Sequence, residues 1–157
     1  MEHRTVFLNE FRFIGIELST NIERAEEEIA AHWEKFIALN LQDSIPNSVD
    51  SEILGLYTDY RGAIKENFSF IIGCRVENFD MVPEGMVAKT IPAATYAVFT
   101  AKGKFPDALL ETWQFVLEDE ELERNFLADF EVYGEKFNDP EHPEMELWIG
   151  IREETIF

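Results

Sequence analysis

The second half of this 157-residue chain repeats the pattern of the first, and no other feature restricts its possible folds as much. Phe11 to Leu18 (FRFIGIEL) is apolar and β-branched enough for a strand. Thr20-Asn21 then offers a helix N-cap, with Glu23 and Glu26 to Glu28 in the first turns, where acidic side chains complement the helix dipole. Ile29, Trp33 and Phe36 recur at helical spacing and Ile37 widens the stripe, so a helix is predicted over 21–40. Ile45-Pro46-Asn47 ends it in a loop, and Ile53 to Tyr60 and Phe68 to Val76 read as two strands. The pattern restarts at Met86. Val87 to Thr100 contains a strand that Pro92 places at an edge or bends. Pro106 is well placed early in a helix whose stripe is Leu109, Trp113 and Val116. Leu127 to Tyr133 and Met145 to Ile151 are the closing strands.

The order is therefore β-α-β-β, twice. Trp33 overlays Trp113 in mid-helix, Gly55 to Tyr60 overlays Ala128 to Tyr133, and Ile71-Ile72-Gly73 overlays Trp148-Ile149-Gly150. Repeat one covers about 7–77, a linker about 78–85 and repeat two about 86–152, all within one domain of 157 residues. A repeated unit with one apolar face pairs with its copy about a pseudo-twofold axis. The expected class is α+β, an antiparallel sheet with two main helices on one side. Either the bare side of the sheet or the seam between repeats is then available for a ligand.

Charge excludes several functions. Lys and Arg total 13 against 32 Asp and Glu, a formal net charge of -19. Nucleic-acid binding needs a basic footprint, and the chain has no Lys/Arg cluster. An anionic membrane surface is disfavoured for the same reason. The field attracts cations, or serves solubility alone. Cys74, the single cysteine, lies in an apolar run and reads as a small core residue. The start of the chain has no basic region followed by an apolar stretch, and no run approaches the ~20 apolar residues of a membrane helix. The cytoplasm is the expected compartment. His3, His32 and His142 have no partners at zinc spacing, and His32 reads as a surface residue. There is no nucleophile elbow, glycine-rich phosphate loop or calcium loop, so no metal or cofactor is expected.

One constellation remains. In Asp129-Phe130-Glu131-Val132-Tyr133, alternation puts Asp129, Glu131 and Tyr133 on one face and Phe130 and Val132 on the other. If Phe130 and Val132 face the helices, Glu131 faces the opposite side or the cleft. On pattern alone its ordinary reading is a solvent-exposed carboxylate, and the ordinary reading of Trp33 and Trp113 is core packing. Tyr57, Tyr60, Tyr96, Tyr133 and Trp148 lie in strands with polar handles. Aromatic walls and one buried carboxylate are what a lipophilic cation needs.

The chain resembles the GyrI-like, or effector-binding, domain family. The resemblance is carried by Phe13-Ile14-Gly15-Ile16-Glu17, Thr20-Asn21, Ile29…Trp33…Phe36, Ile45-Pro46-Asn47, Gly55 to Tyr60, Ile72-Gly73, Ile91-Pro92-Ala93…Tyr96 to Phe99, Trp113, Asp129 to Tyr133 and Ile149 to Ile151, in order along nearly the whole chain. It implies a duplicated β-α-β-β fold, with Glu131 as the residue that meets cationic lipophilic ligands. Trp33, Tyr57, Trp113, Tyr133 and Trp148 are the implied walls. The family includes ligand-sensing domains of bacterial multidrug-responsive transcription activators. This chain resembles the stand-alone members, with no room for a DNA-binding domain and a protein partner able to read its state. Two alternatives follow from the same family. One is hydrolysis of strained cyclopropane-bearing electrophiles with Glu131 as general base. The other is a protein-interaction module of gyrase-inhibitor-like type.

Overall fold

The computed structural model describes residues 1–152. Eight strands, β1 (Arg4–Leu8), β2 (Phe11–Asn21), β3 (Ile53–Arg61), β4 (Asn67–Val76), β5 (Val87–Ile91), β6 (Ala94–Lys102), β7 (Arg124–Tyr133) and β8 (Glu144–Ile151), form one antiparallel sheet. Helix α1 (Ala25–Ala38) follows β2 and helix α2 (Asp107–Glu118) follows β6. The chain is thus α+β, and each half gains a strand over the expected unit. Pro92-Ala93 divides the single expected strand into β5 and β6, and the short β1 carries too few residues for its alternation to register. No helix among the described residues is long and apolar enough to cross a membrane.

The strand order, β1-β6-β8-β7-β3-β4-β2-β5, is symmetric about the β3–β7 pair. The first strand of each half pairs with the second strand of the other, β1 with β6 and β5 with β2. Helix α1 starts four residues later than expected because Thr20 and Asn21 stay in the sheet opposite Phe68 and Asn67. Asn21 still acts on the helix start, its Oδ1 accepting the Arg24 N–H at 3.0 Å.

Both helices cover one face. Phe36 of α1 packs over Ile14, Ile16, Phe70 and Ile72, and Val116 of α2 over Ala97, Phe99, Leu147 and Ile149. His32 is buried on the same stripe four residues before Phe36, with Nε2 2.8 Å from the Ile16 carbonyl. Its expected surface position is corrected by helical phase. Burial holds its imidazole below the usual 6.5. Cys74 is buried under α1, its thiol pushed up to about 11 by burial.

The opposite face is not available to a ligand. Leu54, Leu56, Ile71, Phe130 and Val132 are buried there with Ile91, and the partly buried Val6 and Leu8 from one sheet edge and Val87 from the other pack against them. Phe11 on β2 and Phe130 on β7 lie three strands apart, about 14 Å in a flat sheet, yet their ring centroids are 5.7 Å apart. The sheet is therefore curled around this second core.

The registers also correct the sequence overlay. Gly55 pairs with Ile72 in the first half as Asp129 pairs with Ile149 in the second. With Ile72 matched to Ile149, Gly55 corresponds to Asp129 and Tyr57 to Glu131, one residue from the expected alignment. A one-residue slip exchanges the two faces of a strand, so the earlier alignment placed core positions over helix-side positions.

Candidate functional site

The seam is β3 against β7, in a register that sets Gly55 opposite Glu131, Leu56 opposite Phe130 and Tyr57 opposite Asp129. Cross-strand partners share a face, so Gly55, Tyr57, Asp129, Glu131 and Tyr133 all point to the helix side. Phe130 and Val132 point into the second core. Glu131 is 2% exposed, the reverse of the ordinary reading of an acidic strand residue.

Three aromatic donors hold its carboxylate. Tyr133 Oη donates to Oε1 at 2.6 Å, and Tyr57 Oη and Trp113 Nε1 donate to Oε2 at 2.7 and 2.8 Å. Tyr57 comes from the first half and Trp113 and Tyr133 from the second, so the carboxylate has its partners only when both halves meet. Trp33 closes the arrangement from α1, its ring centroid 4.9 Å from that of Tyr133, while Trp113 lies 5.0 Å from Tyr57. Trp33 and Trp113 are half-buried. Ile37, one turn beyond Trp33, and Leu110 and Leu117, one turn either side of Trp113, are exposed along the same helix edges. Two helix edges with apolar rims thus flank a floor that carries one negative charge.

Of the six expected residues, the structure brings together Glu131, Trp33, Tyr57, Trp113 and Tyr133. Trp148 is not among them. It lies on the opposite face, stacked on Phe130 at 5.3 Å with Nε1 donating to Glu146. Its neighbours in the strand, Leu147 and Ile149, take the helix side.

Gly55 makes room for the carboxylate. A Cβ there would sit 3.0 Å from the Phe70 ring and 3.2 Å from Glu131 Oε1. Gly55→Ala is expected to cost about 1–2 kcal/mol by overpacking and to tilt the carboxylate off its donors. Urea unfolding reads the first effect and near-UV circular dichroism the second. An unchanged protein would show that Phe70 yields freely.

Burial raises the Glu131 carboxyl above its ordinary 4.5, while the hydrogen bonds from Tyr133, Trp113 and Tyr57 pull it back in part. Burial, reinforced by the Glu131 charge, pushes Tyr57 and Tyr133 well above the usual phenol range, so both remain donors. Between 4.5 and its raised value the folded chain holds a proton that the unfolded chain has released. Stability therefore falls as pH rises through that window. Glu131→Gln removes the titration. The wild-type minus variant unfolding free energy should decline from about pH 4.5 upward, and urea midpoints at a series of pH values check this. A difference flat in pH would mean that the carboxyl is not desolvated.

The sequence does not single out the second carboxylate of this face. Asp129, 0% exposed, accepts from Arg124 Nη2 at 2.6 Å, Tyr60 Oη at 2.5 Å and the Gly150 N–H at 2.9 Å. The Arg124 guanidinium also lies 4.4 Å from the Phe126 ring centroid. Asp129 thus has its own cation and Glu131 has none within salt-bridge distance among the described residues. The alternation of Asp129, Glu131 and Tyr133 showed that the two acids share a face but not which of them was paired.

Residues 4–151 match the family described as Cass2, integron-associated effector binding protein. The chain belongs to this family of effector-binding proteins. YobU of Bacillus subtilis is 28% identical over 147 residues, covering 90% of this chain and 92% of YobU. The transcriptional regulator BrlR of Pseudomonas aeruginosa is 33% identical over 132 residues, covering 80% of this chain. That match spans about half of BrlR, 47% of its length. Among solved structures, SAV2435 bound to tetraphenylphosphonium superposes with a TM-score of 0.81 at 20% identity, over 97% of this chain and 94% of that one. That likeness establishes the fold, and the Cass2 match establishes the family.

Proposed function

We propose that this Cass2-family chain binds cationic, lipophilic aromatic molecules at the β3–β7 seam, with Glu131 as the counter-charge and Trp33, Tyr57, Trp113 and Tyr133 as the walls. The observation that carries the reading is a buried carboxylate held by three aromatic donors and, among the described residues, by no cation within salt-bridge distance. Taking a carboxylate out of water costs several kcal/mol. Three hydrogen bonds to a charged acceptor, each worth roughly 1.5–3 kcal/mol, offset that cost without neutralising the charge. A ligand cation neutralises it and gains the indole and phenol faces. Entry exchanges one or more of the Tyr57, Trp113 and Tyr133 hydrogen bonds for the ligand. The net charge of -19 draws cations toward the protein. The fold shared with SAV2435, a protein bound to tetraphenylphosphonium, supports the same reading. A sensing or sequestering role follows, with any transcriptional output relayed through a partner.

The test is a titration with tetraphenylphosphonium and with triphenylphosphine oxide, a neutral aryl counterpart, followed by tryptophan fluorescence. Saturable quenching by the cation and a much weaker response to the neutral compound are expected. Equal affinities would remove the charge from the reading.

Hydrolysis is the second reading, favoured by one observation. A carboxyl whose pKa burial raises is a stronger base toward water than an ordinary carboxylate. It ranks below binding because three donors already occupy both oxygens. Product analysis with a cyclopropane-bearing electrophile separates the two.

A further inference from the structure

The duplication is broken outside the seam as well. In the second half, the turn from β6 into α2 and the turn after β7 bring Phe105 and Phe137 together, with ring centroids 4.9 Å apart. The corresponding turns of the first half, Ile22–Arg24 and Gly62–Glu66, contain no aromatic residue. Phe105 and Phe137 stand in an open groove of about 410 Å³ whose other walls include Pro140, Pro143, Asp139 and Glu141. That volume lies in the range of small-molecule sites. Below it Ala101, Leu109 and Met145 form an apolar floor. Phe105 is 41% exposed, so an aromatic ring faces solvent over a packed base.

Charge and position both point to the occupant. Asp139 turns its Oδ1 to the backbone N–H groups of Glu141 and His142, at 3.0 and 3.2 Å, which fixes the loop at the rim. Asp139 and Glu141 outnumber Lys104, the one cation of the lining, so the groove is net negative. It adjoins the seam without opening into it. Tyr133 lies 6.1 Å from Phe105 and 4.9 Å from Phe137. Tyr133, Phe137, Trp33 and Trp113 belong to one packed cluster with the floor residues. Tyr133 thus packs behind the two groove aromatics and donates to Glu131 on its other side.

We propose that this groove is a second small-molecule site, taking a planar aromatic cation with its ring against Phe105 and Phe137 and its charge toward Asp139 and Glu141. It is separate from the Glu131 site and does not require it. The probe is 1-methylquinolinium, with quinoline as the neutral control near pH 7.5, followed by amide shifts in the full chain. In the Glu131→Gln protein, Gly103, Phe137 and Asn138 are expected to shift saturably with the cation. Phe105→Ala should weaken that response about tenfold, and quinoline should bind several-fold more weakly. Circular dichroism checks that the Phe105→Ala protein is folded, since the ring also packs on Phe137 and Tyr133. The proposal is overturned if these amides do not respond in Glu131→Gln, if Phe105→Ala changes nothing, or if quinoline binds equally well. A failure at the seam is read separately, as absent shifts at Gly55 and Glu131 in the wild-type protein.

Discussion

Glu131→Gln is expected to weaken tetraphenylphosphonium binding roughly 100- to 1,000-fold, equivalent to about 2.7–4 kcal/mol, while barely changing the affinity for triphenylphosphine oxide. Gln keeps the volume and one carbonyl acceptor but not the charge. Its second terminal group becomes a donor, and three donors already point at this position. The ligand cation then enters a nearly dry site with no counter-charge, since Arg124 already holds Asp129, the one other buried carboxylate on this face among the described residues. Fluorescence titration of both proteins measures the ratio, and circular dichroism confirms that the variant is folded. A loss below about fivefold would mean that the aromatic walls, not the carboxylate, account for the affinity.

Asp129→Ala carries the largest expected effect on stability. Removing one partner of a buried ion pair costs about 3–5 kcal/mol because the other charge is left without compensation. Here the stranded groups are Arg124, Tyr60 and the Gly150 N–H. Against a typical net stability of about 5–15 kcal/mol, the variant is expected to be partly unfolded near physiological temperature. Urea unfolding at 25 °C gives the value. Asp129→Asn should cost less, since its carbonyl can still accept from Gly150. A loss near zero for Asp129→Ala would show that Arg124 regains water on leaving Asp129. The two acids of β7 are thus separable by experiment, with binding lost at Glu131 and folding lost at Asp129.

The groove and the seam make different demands on the same scaffold. The twofold arrangement supplies two tryptophans at equivalent positions, Trp33 and Trp113. It supplies one carboxylate, because the position equivalent to Glu131 is Tyr57, and Tyr57 donates to Glu131. Duplication therefore builds a symmetric frame around an asymmetric charge. The match covers 47% of BrlR, so the same module recurs within a longer regulator.

Much of this was legible in the residues. The stripes Ile29-Trp33-Phe36 and Leu109-Trp113-Val116 fixed both helices, since 3.6-residue periodicity is a local property. The repeat implied an antiparallel sheet with helices on one side. Period-two alternation set Asp129, Glu131 and Tyr133 on one face. Local pattern could not say which face that was, because Phe130 and Val132 are equally suited to a core under helices and to the core inside a curled sheet. Nor could it distinguish Trp148 from the other tryptophans, although one residue of strand register sends its side chain to the opposite side. Tertiary structure alone decided three things: the curl that fills the bare face, the pairing of Asp129 with Arg124, and the convergence of Tyr57, Trp113 and Tyr133 on Glu131. The curl and the convergence depend on contacts between segments far apart in the chain, and the Asp129–Arg124 pair on the break in register between β7 and β8 that lets two residues five apart meet; strand alternation restricts side chains to two directions without saying what they will meet.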